Sequence, residues 1–192
     1  MLQLDVWNKL KALEKKVTSL SNVVCCLAKK SELLQFVQTA TQTIANTVAE
    51  SSLLGIGVGS LTIPSNTLKE GSVIKLDFWG EHSATNSPNI TVNFKLNGVT
   101  MGTTGQYATD DDTLDLFRIE VSLVCYSAGV SGSFWVQGWI IEGGGGSYHP
   151  IVTNSPVTID TAIPQTVDLT FQWDVADPLN SITSTNVTVE IQ

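Results

Sequence analysis

The sequence predicts a mainly β protein, in which an N-terminal α-helical parallel coiled coil leads into an antiparallel, jelly-roll-like β-sandwich head. Three observations predict it. Apolar residues recur at alternating spacings of four and three near the N-terminus, the seam of a coiled coil. From residue 53 onward the apolar period switches to two, the signature of half-buried strands. Hydrophobic residues make up 42% of the 192 and charged residues only 15%, a folded composition whose wet faces are built from Ser, Thr and Asn. The chain is long enough for one ordinary domain plus an extra segment. The expected division is a stalk at 1–52 and a head at 53–192.

The stalk seam runs through Val6, Leu10, Leu13, Val17, Leu20, Val24 and Leu27. Lys9, Lys11, Glu14, Lys15 and Lys16 lie between them as solvent-facing types, and the apolar stripe is narrower than that of a helix docked on its own domain. After Lys29-Lys30-Ser31-Glu32 a second seam through Leu34, Val37, Thr41, Ile44 and Val48 resumes in a shifted register. The junction reads as local overwinding or as a break with Ser31 capping a new helix. Thr39, Thr41, Thr43 and Thr47 lower the helix propensity of this half, so it is expected to lean on the head. Val at one core position and Leu at the other favour two strands on packing rules.

In the head, Ile74-Leu76-Phe78, Ile90 to Leu96, Phe117 to Cys125, Val167 to Trp173 and Val187 to Ile191 each alternate with polar residues. Turn signals separate these runs: Pro64-Ser65-Asn66, Glu70-Gly71, Asn97-Gly98, Gly102 through Gly105, Ser127-Ala128-Gly129 and Asp177 to Asn180. About eight strands with no helical period between them predict a sandwich. Asn97-Gly98 is the clearest tight hairpin. The four glycines at 143–146 end the strand Ser133–Glu142 and lead into a predicted loop around His149.

Charge and cysteines narrow the function. The net charge of −8 divides into about +2 for residues 1–50 and −10 for the remainder, and an acidic head gives nucleic-acid binding no electrostatic support. No apolar run approaches the ~18 residues a membrane span needs, so no membrane insertion is expected. Asp5, Lys9 and Lys11 interrupt any signal-peptide layout. Cys25, Cys26 and Cys125 have no zinc-ligand spacing to His82 or His149 and read as free, buried thiols, with a cross-chain disulfide through Cys25 or Cys26 as the alternative.

The stretch Gly59-Ser60-Leu61-Thr62-Ile63-Pro64-Ser65-Asn66-Thr67-Leu68-Lys69-Glu70-Gly71, followed by Asp168 to Trp173 and Asn180-Ser181-Ile182-Thr183, resembles β-sandwich domains of fibre, spike and tail-tip proteins of bacteriophages and some large viruses. The resemblance spans about 55–192. It implies a virion surface component, usually trimeric, with the helical segment as shaft and the sandwich as knob. It transfers no binding site. Physically the first motif reads as scaffold: Leu61 and Ile63 alternate as strand residues, Pro64 ends the ladder, Asn66 suits a turn and Gly71 allows a positive φ.

Chemistry is sparse. Asp110-Asp111-Asp112 and Asp115 have the oxygen ligands calcium takes but not the spacing of a known loop, and read as a solvated loop. Trp135 and Trp139 share strand parity, opposite Phe134, Val136 and Ile140. Buried, they anchor a contact between subunits or between sheets, which is the favoured reading; exposed, they stack on sugar rings or another ligand. Trp79, beside Glu81 and His82, carries the same two readings. No Gly-x-Ser-x-Gly or phosphate-binding loop occurs, and nothing selects a glycosidase pair among the carboxylates. Asn89-Ile90-Thr91 and Asn186-Val187-Thr188 match the glycosylation sequon and read as coincidence in a Thr-rich domain.

The expectation is a non-enzymatic fibre or spike protein without catalytic residues, metal or cofactor. It is made in the host cytoplasm and displayed on the virion surface. The partners expected are itself (a homotrimer, with a dimer as the alternative), a capsid or tail protein through Met1 to Trp7, and a host surface glycan or protein. A capsid decoration or vertex protein without receptor binding and a tail-associated polysaccharide depolymerase are the rival classes.

Overall fold

The computed structural model describes residues 11–21, 35–111, 113–143, 147–153 and 155–192. Two compact units divide between residues 33 and 34. In the first, residues 11–21 form a helix on which Leu13, Val17 and Leu20 are all exposed in the single chain, by 62–65%. The remaining first-seam positions, Val6, Leu10, Val24 and Leu27, lie outside the described residues, as do Cys25, Cys26 and the residues 29–33 junction.

The second unit is antiparallel β throughout. Its strands are β1 (Gln35–Gln38), β2 (Gln42–Ala45), β3 (Ser51–Ser52), β4 (Gly57–Gly59), β5 (Thr62–Ile63), β6 (Val73–Ser83), β7 (Asn89–Leu96) and β8 (Val99–Thr103). They continue with β9 (Tyr107–Ala108), β10 (Asp115–Ser127), β11 (Gly132–Glu142), β12 (Ser147–Val152), β13 (Val157–Ile159), β14 (Gln165–Trp173) and β15 (Ser181–Ile191).

The second half of the predicted stalk is corrected by these strands. Val37 lies in β1 and Ile44 in β2, while Val48 is an exposed position between β2 and β3; Leu34 lies outside the described residues. The head therefore takes in most of residues 34–52, rather than starting at 53. The physical reason is visible in the side chains. Phe36, off the proposed seam, is buried, as is Gln38, whereas Val37, on the seam, is 43% exposed; that is period two. The β-branched and Thr-rich composition that weakened the helix is what a pleated, half-buried surface takes. Gln38 is held by donating from Nε2 to Ser184 Oγ at 2.6 Å and accepting from the Gly55 amide at 2.9 Å.

The strands follow one path, β3-β14-β7-β8-β12-β11-β10-β6-β15-β1-β4, with β5, β9, β2 and β13 attached at its sides. The expected pair of separate sheets is thus one sheet that curls. Four strands separate β10 from β14 along the path, yet Phe117 of β10 meets Phe171 of β14 edge-on, with ring centroids 6.3 Å apart. Opposed inner faces enclose a core of Phe78, Phe94, Phe117, Phe134, Phe171 and Trp173, with Ile and Leu residues between them. At the predicted hairpin, Asn97 (φ 48°) and Gly98 (φ 79°) are both left-handed between the paired residues Leu96 and Val99, the turn that matches strand twist. Asn66 is also left-handed, at φ 59°. The predicted loop around His149 is instead β12, which pairs with β11 from Gln137↔Val152 to Glu142↔Ser147.

Candidate binding face

Strand alternation sorts β6, β10 and β11 into an inner set that fills the core and an outer set that faces solvent. On β11 the inner residues are Phe134, Val136 and Ile140, and the outer ones are Trp135, Gln137 and Trp139. Trp135 is 36% exposed and Trp139 40%, so neither is buried between the opposed faces of the sheet; that half of the expectation is corrected. Trp79 of β6 is equally open at 36% and points to the same side, since Trp79↔Arg118 and Glu120↔Trp139 are register pairs.

These side chains are tied together. The Arg118 guanidinium lies 4.2 Å from the centre of the Trp79 ring, a cation–π contact. It also donates to Asp77, at 3.4 Å from Nε, and pairs with Glu120. Glu120 in turn accepts from the Trp139 indole Nε1–H at 3.0 Å. A continuous link, Trp79–Arg118–Glu120–Trp139, therefore crosses three strands and holds two indoles in place. Trp135 sits four residues from Trp139 on the same face of β11, with the Tyr126 ring edge-on at 6.5 Å.

Two depressions open on this face. The larger, about 340 Å³, lies over β6, β10 and β15 and is lined by the side chains of Lys75, Asp77, Glu120, Ser122, Thr188 and Glu190. The smaller, about 240 Å³, is walled by Trp135, Tyr126, Gln137 and Val124 and shares Ser122 with the first. Local irregularity helps to shape the rim. A bulge between Ser184 and Asn186 leaves Thr185 as the extra residue of β15, and its hydroxyl donates to the Trp79 carbonyl at 3.0 Å. Gly138, between Gln137 and Trp139, lets β10 approach closely: a Cβ there would meet the Glu120 carbonyl oxygen at 2.4 Å.

A second cluster lies at the far end of β11. Glu142 is 1% exposed and accepts from the Tyr107 hydroxyl at 2.8 Å, while its Oε2 has no hydrogen-bond partner. Burial pushes its carboxyl up to about 7, and the nearby charges of Asp110 and Asp115 add to the effect. Burial and the Glu142 charge raise the Tyr107 phenol as well. Tyr107 stacks on His149, with ring centroids 3.7 Å apart, and burial lowers the imidazole. Among the described residues no group of three or more His, Cys, Asp or Glu is placed to hold a metal ion; Asp112 and residues 144–146 lie outside them. His82 is buried and packs edge-on against Phe117 at 5.5 Å. Cys125 is a free, buried thiol, raised by burial first and then by the charge of Glu70.

No protein-family model and no curated protein matches the chain. The outer face is therefore the principal guide to function. Sequence parity had singled out Trp135 and Trp139, but nothing local marked Arg118, Glu120 or Ser122. They join the site through pairing of β10 with β6 and β11, at sequence separations of about 15 to 45 residues. No described helix is long and apolar enough to cross a membrane.

Proposed function

We propose that this chain is a subunit of a virion surface fibre or spike, whose β head attaches to a host surface. The observation that carries the reading is the outer face of β6, β10 and β11, where three tryptophans stay 36–40% exposed although the chain has a large core to receive them. Half-exposed indoles held by a salt-bridged network suit a recognition surface, because Trp offers large contact area at low conformational cost. On this reading the N-terminal seam forms a parallel coiled coil and the assembly is a homotrimer. Leu13, Val17 and Leu20, exposed on the helix of a single chain, support it, since an apolar stripe of that kind requires cover. The head is read as a jelly roll. Its strand orders β1-β15-β6-β10 and β3-β14-β7-β8 fit two interlocked Greek keys, with β11, β12 and β13 inserted between β10 and β14. Met1 to Trp7 anchors the subunit to a capsid or tail partner. Weak head contacts then gain avidity from linkage.

Light scattering of the full chain tests the reading. A solution mass three times the 20.6 kDa chain is expected. A monomer at micromolar concentration would remove the coiled coil and the spike architecture together.

A further inference from the structure

We infer that the outer face of β6, β10 and β11 is a saccharide site of two joined subsites, which takes a short, neutral oligosaccharide. The inference deepens the attachment reading and takes its biological sense from it. Its physical case rests on three features of the face.

The first is size. Depressions of about 340 and 240 Å³ meet at Ser122. They fall at or below the low end of the ~300–1,000 Å³ usual for small-molecule sites, so together they fit a few sugar rings.

The second is chemistry. The larger depression offers acceptors on Asp77, Glu120 and Glu190, hydroxyls on Ser122 and Thr188, and the Lys75 ammonium. A ring of hydroxyls can satisfy these groups as donor and acceptor at once. The smaller depression supplies the Trp135 and Tyr126 rings, with the Gln137 amide beside them. Aromatic faces take the C–H face of a sugar while amides and hydroxyls take its edge. Trp139 lines neither depression but fixes Glu120, a wall of the larger one, through its indole N–H.

The third is charge. The larger depression holds three carboxylates against one lysine, and Arg118 is already engaged by Asp77, Glu120 and the Trp79 ring. Uronic and sialic acids would meet net repulsion there, so the ligand class is neutral.

A second copy of the chain fits this face less well. Lys, Asp and Glu are depleted from the cores of protein interfaces, yet here they form the floor of the larger depression. Covering them would leave carboxylates desolvated and only partly paired.

The test uses the full chain. Intrinsic tryptophan fluorescence and saturation-transfer NMR are recorded while titrating neutral tetrasaccharides built from glucose, galactose, mannose and N-acetylglucosamine, with sialyllactose and a tetra-uronic acid as acidic probes. Saturable binding of at least one neutral probe is expected, at least tenfold tighter than any acidic one. Trp135→Ala and Ser122→Tyr, which removes a platform or fills the junction, are each expected to weaken it at least tenfold, with unchanged circular dichroism and melting temperature. Glu120→Gln keeps an acceptor and is expected to cost less than Trp135→Ala. Preference for the acidic probes overturns the inference. So does the absence of any response, or unchanged binding in both Trp135→Ala and Ser122→Tyr. Outer-face tryptophans shielded from acrylamide in the full chain, but not after dilution to monomer, would assign the face to a second copy and also overturn it. Mass measured on the same samples separates the two ideas. A sugar-binding monomer upholds the inference and defeats the spike reading, and a trimer that binds no probe does the reverse.

Discussion

Glu142 makes the stability of the head depend on pH in an unusual direction. Its carboxyl is raised from 4.5 to about 7 in the fold, so the folded state holds a proton that the unfolded chain releases more readily. The stability this group contributes is therefore complete below about pH 4.5 and is lost as pH rises through about 7. A difference of about 2.5 pH units corresponds to a ceiling of about 3 kcal/mol at ~1.4 kcal/mol per unit, of which roughly three quarters, about 2 kcal/mol, is lost between pH 5 and 8. Burial dominates the shift, and the Tyr107 hydroxyl and the Asp110 backbone, which favour the ionised form, offset it only in part. The charges of Asp110 and Asp115 repel the ionised form and add to the effect of burial. Glu142→Gln keeps an acceptor for the Tyr107 hydroxyl and places an amide donor where Oε2 has no partner. Urea unfolding at pH 5, 6, 7 and 8 checks the reasoning. The wild-type chain should lose about 2 kcal/mol between pH 5 and 8 from this site, and Glu142→Gln should lose correspondingly less and be the more stable of the two at pH 8. Tyr107→Phe removes the donor to the carboxylate and should steepen the wild-type slope. Equal slopes in wild type and Glu142→Gln would refute the assignment.

Other perturbations test other parts of the molecule. Glu50, paired with Lys95 at 2.7 Å and bonded by Thr170 and Asn93, has its carboxyl lowered to about 2, chiefly through Lys95. Its stabilisation is present above pH 4.5 and lost as pH falls toward 2. With a third of the side chain exposed, solvent screening limits it to about 1 kcal/mol, so Glu50→Gln should lower the melting temperature at pH 7 by a few degrees and by only about a quarter as much at pH 2.5. Gly138→Val forces a side chain against the Glu120 carbonyl and should cost about 3 kcal/mol or more, read as a lower urea midpoint. Arg118→Met removes the cation over Trp79 and should shift tryptophan emission and change quenching, while costing about 1 kcal/mol or less of stability because its ion pairs are part-exposed. Val17→Asp is expected to dissociate the proposed trimer, with the β-strand circular dichroism retained; a variant that stays trimeric would place assembly in the head.

The β class was legible because it rests on short-range alternation. Ile74 to Phe78, Ile90 to Leu96 and Phe117 to Cys125 each show the period within one strand, and all three runs are strands in the fold. The error at 34–48 has a physical cause. Residues spaced by three and four also occur in short strands joined by a turn, and Val37, Thr41, Ile44 and Val48 satisfy the heptad by that accident. The discriminating signal was Phe36, a large apolar residue off the seam, together with four threonines within nine residues. The single curled sheet was not legible, because closure depends on one thin junction, where Val152 of β12 pairs with Thr103 of β8. The shared face of Trp135 and Trp139 was legible by parity, but their exposure was not. Their partners were not, because Arg118 and Glu120 reach Trp79 and Trp139 only through pairing of distant strands.

The position of the outer face bears on what it can do. Its central residues lie on β6 and β10, each hydrogen-bonded on both sides, so the backbone beneath Asp77, Trp79, Arg118 and Glu120 is fixed by two ladders. A site on paired strands holds its groups without ordering on binding, which removes one of the larger entropic costs of association. The network of Arg118, Glu120 and the two indoles carries the same logic to the side chains, since each is already restrained in the free protein. Such a surface is not built for tight binding by burial alone, because its depressions are shallow and wet. It suits many equal, modest contacts made in parallel, which is what several linked heads on one stalk would require.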